Sequence, residues 1–359
     1  KIKDYNTMKK IYKIISRIMM KTLYHIIIFL FCYSCTNNKL EHSTITVINE
    51  ELKEYVREKE VKFDNLLCIN KVKIVDSLLL LIDRCDSCIF HVYNMNQDSI
   101  LHSFGNSGQG PDDFIYPLFL NNVNNRDSIF CYDTGLGRLR VMDKKECINS
   151  NPVKTVSKTI PLQLLASPDL SKENFGYIGC TDTEGKGLYF KYIENMDTII
   201  WIPYPQSIQC SIRTTGNGNR LTSNDSIQRI AISTRYHNKL FLYGYDGKIL
   251  KEVQIGKDKI YPQIDSKQKR PNKESILCNL DIQSTHSYIY VLALYKPEKD
   301  IHKPNITSKI FVFDWNLNYI TTYMLPYKAH SIDVDENTQK LIYLGNDNNE
   351  ECIIGIISL

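Results

Sequence analysis

Apolar, strand-like runs return along this chain at intervals of about fifty residues. They are Leu78–Ile82, Ile129–Tyr132, Tyr177–Cys180, Ile227–Ile232, Tyr288–Leu292 and Leu341–Leu344. The steps between their first residues are 51, 48, 50, 61 and 53. A unit of that size cannot bury its apolar surface alone, so neighbouring units must stack. Six units of short strands predict an all-β fold: a six-bladed β-propeller of four-stranded antiparallel blades. The first two runs sit in "VDSLLLLID" and "RDSIFCYD". Each begins at a polar Asp-Ser turn and ends on an aspartate. A further strand follows each run: "CIFHVYN", "GRLRVMD", "GLYFKYI", "KLFLYGYDGKIL", "KIFVFDWNLNYI" and "CIIGII". Asp246-Gly247 and Asp314–Asn318 are hairpin turns, since Asp-Gly tolerates positive φ. The 23 tyrosines and 13 phenylalanines point the same way, because aromatic residues favour strands.

A ring must close. Cys352–Ser358 leaves the sixth blade one strand short. "STITVINE" (Ser43–Glu50) alternates like a strand and is expected to supply the missing outer strand. That would cover an exposed edge. The charged stretch Glu51–Val61 reads equally as a short helix, an edge strand or a solvated connector.

The net charge of +4 comes from the beginning of the chain. Residues 1–34 hold seven basic groups and one acid; the remainder carries 37 basic and 39 acidic residues, a net of −2. No basic footprint for nucleic acid is left. "MMKTLYHIIIFLFCYSC" (Met19–Cys35) has a basic start, an apolar stretch from Leu23 to Phe31, and small or polar residues before a cysteine. That is the layout of a secretory signal, and its apolar part is too short to span a bilayer. "CYSC" resembles a lipobox, with Ser34 at the small position and Cys32 where Leu or Val is usual. Cys35 is therefore the expected lipidation site. The expected organisation is a signal segment at 1–34, with the true start at Met19 or Met20, an anchor and tether at 35–42, and the propeller at 43–359.

"GNSGQGPDDFIYP", "RYHNKLFLYGYDGKILKEVQIG", "SYIYVLALY" and "KIFVFDWNLNYITTYML" followed by "IDVDENTQKLIYLG" resemble the TolB-like six-bladed β-propeller lipoproteins of gut-type bacteria. The resemblance runs from about residue 60 to the end. Asp112-Asp113-Phe114 stands where a Gly-Glu-Phe-like run is more usual, and blade 3 and Ser207–Ser226 match poorly. The resemblance implies an exported, lipid-anchored monomer of the cell envelope, in the outer membrane and facing periplasm or exterior. It implies a binding function toward a glycan, a peptide or an envelope protein, with no established reaction. The alternative is a propeller enzyme, a lyase or hydrolase with its site at the channel mouth.

The motifs carry little chemistry. Gly105, Gly108 and Gly110 fall within "FGNSGQGPDDF". The nucleophile motif fails at Gln109, and the loop has no lysine for a phosphate. "DVDENTQK" from Asp333 fails as a calcium loop at Thr338 and Leu344 and reads as a turn. "GNDNNEE" (Gly345–Glu351) is an acidic hairpin tip. Cys85-Asp86-Ser87-Cys88 lacks a second pair, so no metal or cofactor is expected. Those two cysteines flank a turn, so they are expected to form a hairpin disulfide, with two free thiols as the alternative. No residue is nominated as catalytic. Arg84, Asp112, Asp133, Arg138 and His237 are the candidates for ligand binding; the alternative reading of each strand-end residue is a blade-to-blade hydrogen bond.

Overall fold

The computed structural model describes residues 46–48, 52–53, 56–63, 68–120, 128–149, 155–159, 169–180, 187–205, 207–208, 218–268 and 270–359. Cys35 and the signal layout lie outside them. Blade 1 is formed by Ile69–Val75, Leu78–Asp83, Cys88–Asn94 and Ser99–Asn106. Blade 2 follows with Pro117–Phe119, Ser128–Asp133, Arg138–Asp143 and Thr155–Thr159. Blade 3 takes Asp169–Glu173, Gly176–Cys180, Tyr189–Ile193 and Thr198–Ile202. Arg220–Asn224, Arg229–Ser233, Lys239–Gly244 and Ile249–Ile255 make blade 4. Ile276–Ser284, Tyr288–Pro297, Lys309–Asp314 and Tyr319–Met324 make blade 5. Blade 6 joins Lys328–Asp335, Lys340–Asn346 and Cys352–Ser358 to Val56–Lys62. The predicted apolar runs mark the second strand of each blade, Ile227 and Gln228 lying in the turn before it, and each follower begins on or just before the third.

The unbroken apolar character of the second strands has a packing cause. All six residues of Leu78–Asp83 are buried, because a blade's middle strand meets another blade on each face. The core is accordingly six apolar layers, one per blade junction. Between blades 1 and 2, for example, Leu80, Ile82, Phe90 and Phe104 meet Ile129, Cys131 and Met142.

The inner strands are tied around the axis by side chains. Asp281 of blade 5 accepts the Ile332 N–H of blade 6 at 3.1 Å, and Asp333 of blade 6 accepts the Ile74 N–H of blade 1 at 2.6 Å. The Thr222 and Ser284 hydroxyls of blades 4 and 5 are 2.6 Å apart.

Ring closure differs in detail from the expectation. Val56–Lys62, inside the charged stretch, is the strand that completes blade 6, antiparallel to Cys352–Ser358 with Val61 opposite Ile354. Thr46–Ile48, from "STITVINE", instead lies parallel on the outer strand of blade 4, with Thr46 opposite Val253. Leu52–Lys53 then adds to blade 5. An outer strand needs only part of its surface covered, so charge does not disqualify it. Val61 is buried in the layer between blades 1 and 6, while the Lys62 ammonium reaches Asp347 at 2.6 Å and Glu351 at 2.9 Å. The closing strand thus sets one ammonium against two of the three acids of the "GNDNNEE" tip.

Candidate functional site

Inner-to-second and third-to-outer turns lie at one end of the ring, called here the mouth face. Second-to-third turns and blade connections lie at the other, the connector face. All five sequence candidates fall on the connector face, and four of them gather around the glycine loop.

Asp133 ends the second strand of blade 2 and is fully buried. Its Oδ1 accepts the N–H groups of Tyr116, Gly135 and Leu136 at 2.9–3.0 Å, and its Oδ2 accepts that of Ile115 at 2.7 Å. It holds the connection from blade 1 against the turn of blade 2, and no oxygen is left for a ligand. Arg138 donates to the carbonyl oxygens of Gly110 at 3.3 Å and Pro111 at 3.5 Å. Arg84 lies over the Tyr116 ring, 3.3 Å from its centroid; burial lowers its pKa, which Tyr116 and Asp133 oppose. Asp112 is exposed on the loop itself.

Sequence reasoning missed Arg140, which is fully buried under the loop. It donates to the Pro111 carbonyl oxygen at 2.8 Å and to that of Asp113, and its guanidinium sits 4.5 Å from the Phe114 ring centroid. The glycines serve this closed loop. A Cβ at Gly108 would stand 2.4 Å from Asp113 Oδ2, and one at Gly110 2.7 Å from it. That oxygen accepts the Gly110 N–H at 2.7 Å. The loop wraps its own carboxylate where a phosphate would have to sit.

His237 belongs to blade 4, in the turn after Arg229–Ser233, with its ring edge-on to Tyr261 at 5.8 Å. Burial, and then the Lys239 charge, push its pKa down to about 4. It does not join the cluster at blades 1 and 2.

The two cysteines of the blade 1 turn are not bonded to each other. Cys85 is bonded to Cys68, with Cα atoms 5.4 Å apart, and Cys88 is a free thiol. The ladder explains the choice. Ile69 pairs with Asp83, and the Arg84 N–H reaches the Cys68 carbonyl at 3.4 Å. Cys85 is thereby set opposite the start of the inner strand. Cys88 already belongs to the third strand, opposite Asn106. The other described free cysteines include Cys131, Cys147, Cys278 and Cys352. Burial pushes the Cys147 thiol up to about 12.

The mouth face carries an open cavity of about 380 Å³ that the sequence candidates do not touch. Inner strands and turns of blades 1, 2, 4, 5 and 6 line it, with Lys73, Thr222, Gln283, His286, Asp333 and Glu336 among its polar groups. Asp333 is buried, and burial raises its carboxyl pKa against the Lys73 charge. Glu336 accepts the His286 backbone N–H at 3.0 Å, and Lys144 pairs with Asp76 at the rim at 2.6 Å. The "DVDENTQK" turn is the blade 6 part of this rim. Its Asp335 accepts the Asn337 N–H at 3.1 Å, as a turn residue does. Among the described residues, no helix is long and apolar enough to cross a membrane.

The family described as TolB-like 6-blade propeller-like matches residues 54–337. No curated relative matches this chain. Among solved structures, a member of the DUF4221 family from Bacteroides vulgatus ATCC 8482 superposes with a TM-score of 0.58 at 12% identity, over 85% of this chain and 97% of that one. A protein of Bacteroides fragilis NCTC 9343 described as exported gives 0.54 at 12% identity, over 88% and 99%. U3-55K gives 0.51 at 8%, over 84% and 98%. At these identities the likeness is one of fold.

Proposed function

This chain belongs to the TolB-like six-bladed propeller family, and from that premise we propose that it is an exported, membrane-anchored binding protein. The Bacteroides fragilis neighbour is described as exported, and Met19–Cys35 has the layout of a signal ending at a lipidated cysteine. The observation that carries the binding assignment is the polar cavity at the mouth face. It has the volume of a small-ligand site. Its lining mixes ammonium, carboxylate, amide, hydroxyl and imidazole groups on rigid strand ends. Such a lining suits a polar partner rich in hydrogen-bonding groups: a glycan, a peptide or the tip of an envelope protein.

The connector-face candidates supply neither a ligand site nor a free catalytic group. Asp133 and Arg138 are engaged in holding loops. One observation favours a hydrolase or lyase: Asp333 carries a raised carboxyl beside Lys73 at the mouth, and displaced acids mark many catalytic sites.

The test is a thermal-shift screen of the mature protein against glycans and peptides, followed by calorimetry. Lys73→Ala and His286→Ala should abolish a hit that Arg84→Ala at the other face leaves intact. A hit insensitive to both mouth variants would refute the assignment, and product release from the hit that Asp333→Asn stops would favour the enzyme. Cys35→Ala should release the protein from membranes; retention would refute the anchor.

A further inference from the structure

We propose that Cys68, Asp83 and Cys85 form a divalent-metal site, open when their disulfide is reduced. The two sulfurs and a carboxylate oxygen of Asp83 lie within 4.8 Å of one another. Asp83 is 1% exposed. One of its oxygens accepts the Cys85 N–H at 2.8 Å, while the other, Oδ2, is buried without a hydrogen-bond partner. A bare buried carboxylate oxygen is costly, and disulfide sulfurs donate nothing to it. The aspartate in the same place in blade 2, Asp133, has both oxygens on backbone N–H groups. The difference in blade 1 is a pair of cysteines at the mouth of the turn.

Two thiolates and a carboxylate are a ligand set for zinc or a similar borderline cation. Cys85 is exposed, so the cation has an entry path, and three protein donors leave a fourth position toward solvent. The chemistry balances as follows. A dithiol reductant gives the disulfide two electrons and two protons, and leaves as its own disulfide. The two resulting thiols then release two protons as their sulfurs bind the cation. The bonded and metal-bound states exclude each other, because the same sulfur electron pairs serve both.

The experiment uses the mature full chain, reduced with a phosphine and freed of metal. Cobalt(II) is titrated in as an optical probe, and zinc is measured by metal analysis after gel filtration. The reduced chain should bind about one equivalent and show a thiolate-to-cobalt charge-transfer band; the oxidised chain should show neither. Cys68→Ser and Cys85→Ser should each abolish the band, and Asp83→Asn should weaken binding by about tenfold or more. The proposal is overturned if the reduced chain, with both thiols counted, shows no band. A band of equal strength in the oxidised chain or in the double serine variant overturns it too. If reduction unfolds the chain, recovery of its circular dichroism on adding zinc supports the site, and failure to recover counts against it.

Discussion

Asp83 and Asp133 end the same strand of neighbouring blades, in "LLLLID" and "SIFCYD", yet they live differently. Asp133 accepts four backbone N–H groups from two loops. Asp83 accepts one, from Cys85; its other oxygen has no hydrogen-bond partner, and its carboxylate lies beside a disulfide. These two blades place a carboxylate at the same strand end, and the loop that arrives there decides its work. In blade 2 the arriving loop is the glycine loop, with free N–H groups at Ile115 and Tyr116. In blade 1 what arrives is Cys68.

The sharpest test is Asp133→Ala. It strands four part-buried N–H groups and should cost about 4 kcal/mol in urea unfolding. A loss near 1 kcal/mol would erase the contrast with Asp83.

Acid titration extends the comparison to blades 4 and 6. Burial pushes His237 and His330 down to about 4, helped by Lys239 and Lys71 respectively. Unfolded histidine titrates near 6.5. Below that value the unfolded chain takes protons that the native chain refuses. Stability is therefore full above about pH 6.5 and falls as pH drops toward 4, by up to about 3 kcal/mol per histidine. His237→Gln and His330→Gln should each flatten that fall in pH-dependent unfolding; an unchanged slope would show that neither is held neutral.

Reducing the Cys68–Cys85 bond, which spans 17 residues, should cost about 3 kcal/mol by freeing the unfolded chain. Differential scanning calorimetry of the metal-free chain with and without reductant measures it, and an unmoved transition would mean the bond does not constrain blade 1. Gly108→Ala should cost about 1–2 kcal/mol, because its Cβ would displace the Asp113 carboxylate from the Gly110 N–H. Thermal melts would check it, with Gln109→Ala as the neighbouring control that should do nothing. Asp83→Ala in the oxidised protein should be the mildest, about 1 kcal/mol, since one hydrogen bond is lost. Equal losses for Asp83→Ala and Asp133→Ala would break the comparison.

The repeat was legible because a middle strand flanked by two blades must be apolar throughout. Runs such as "LLLLI" therefore announce themselves without any partner being known. The disulfide also has a signal in the sequence. Cys68 and Cys85 stand eight residues either side of the Asp76-Ser77 turn, which is how an antiparallel hairpin pairs its ends. The turn spacing of Cys85 and Cys88 was the more visible signal, but the ladder overruled it. Polar residues at strand ends look available for a ligand, but Asp133 and Arg138 are both spent on the glycine loop. Whether a buried polar group is spent on a loop depends on which loop comes back to it.

The sequence by itself determined a ring of six blades, the second and third strands of each, and the need for an N-terminal strand to close it. These follow from local patterns of burial with a fixed period. Only the tertiary structure decided which strand closes the ring, because Val56–Lys62 is marked by contacts with blades 1 and 6 and not by its own hydrophobicity. The mouth cavity was decided the same way. Lys73, Thr222, Gln283 and Asp333 are scattered over 260 residues and become one site only when the inner strands meet at the axis.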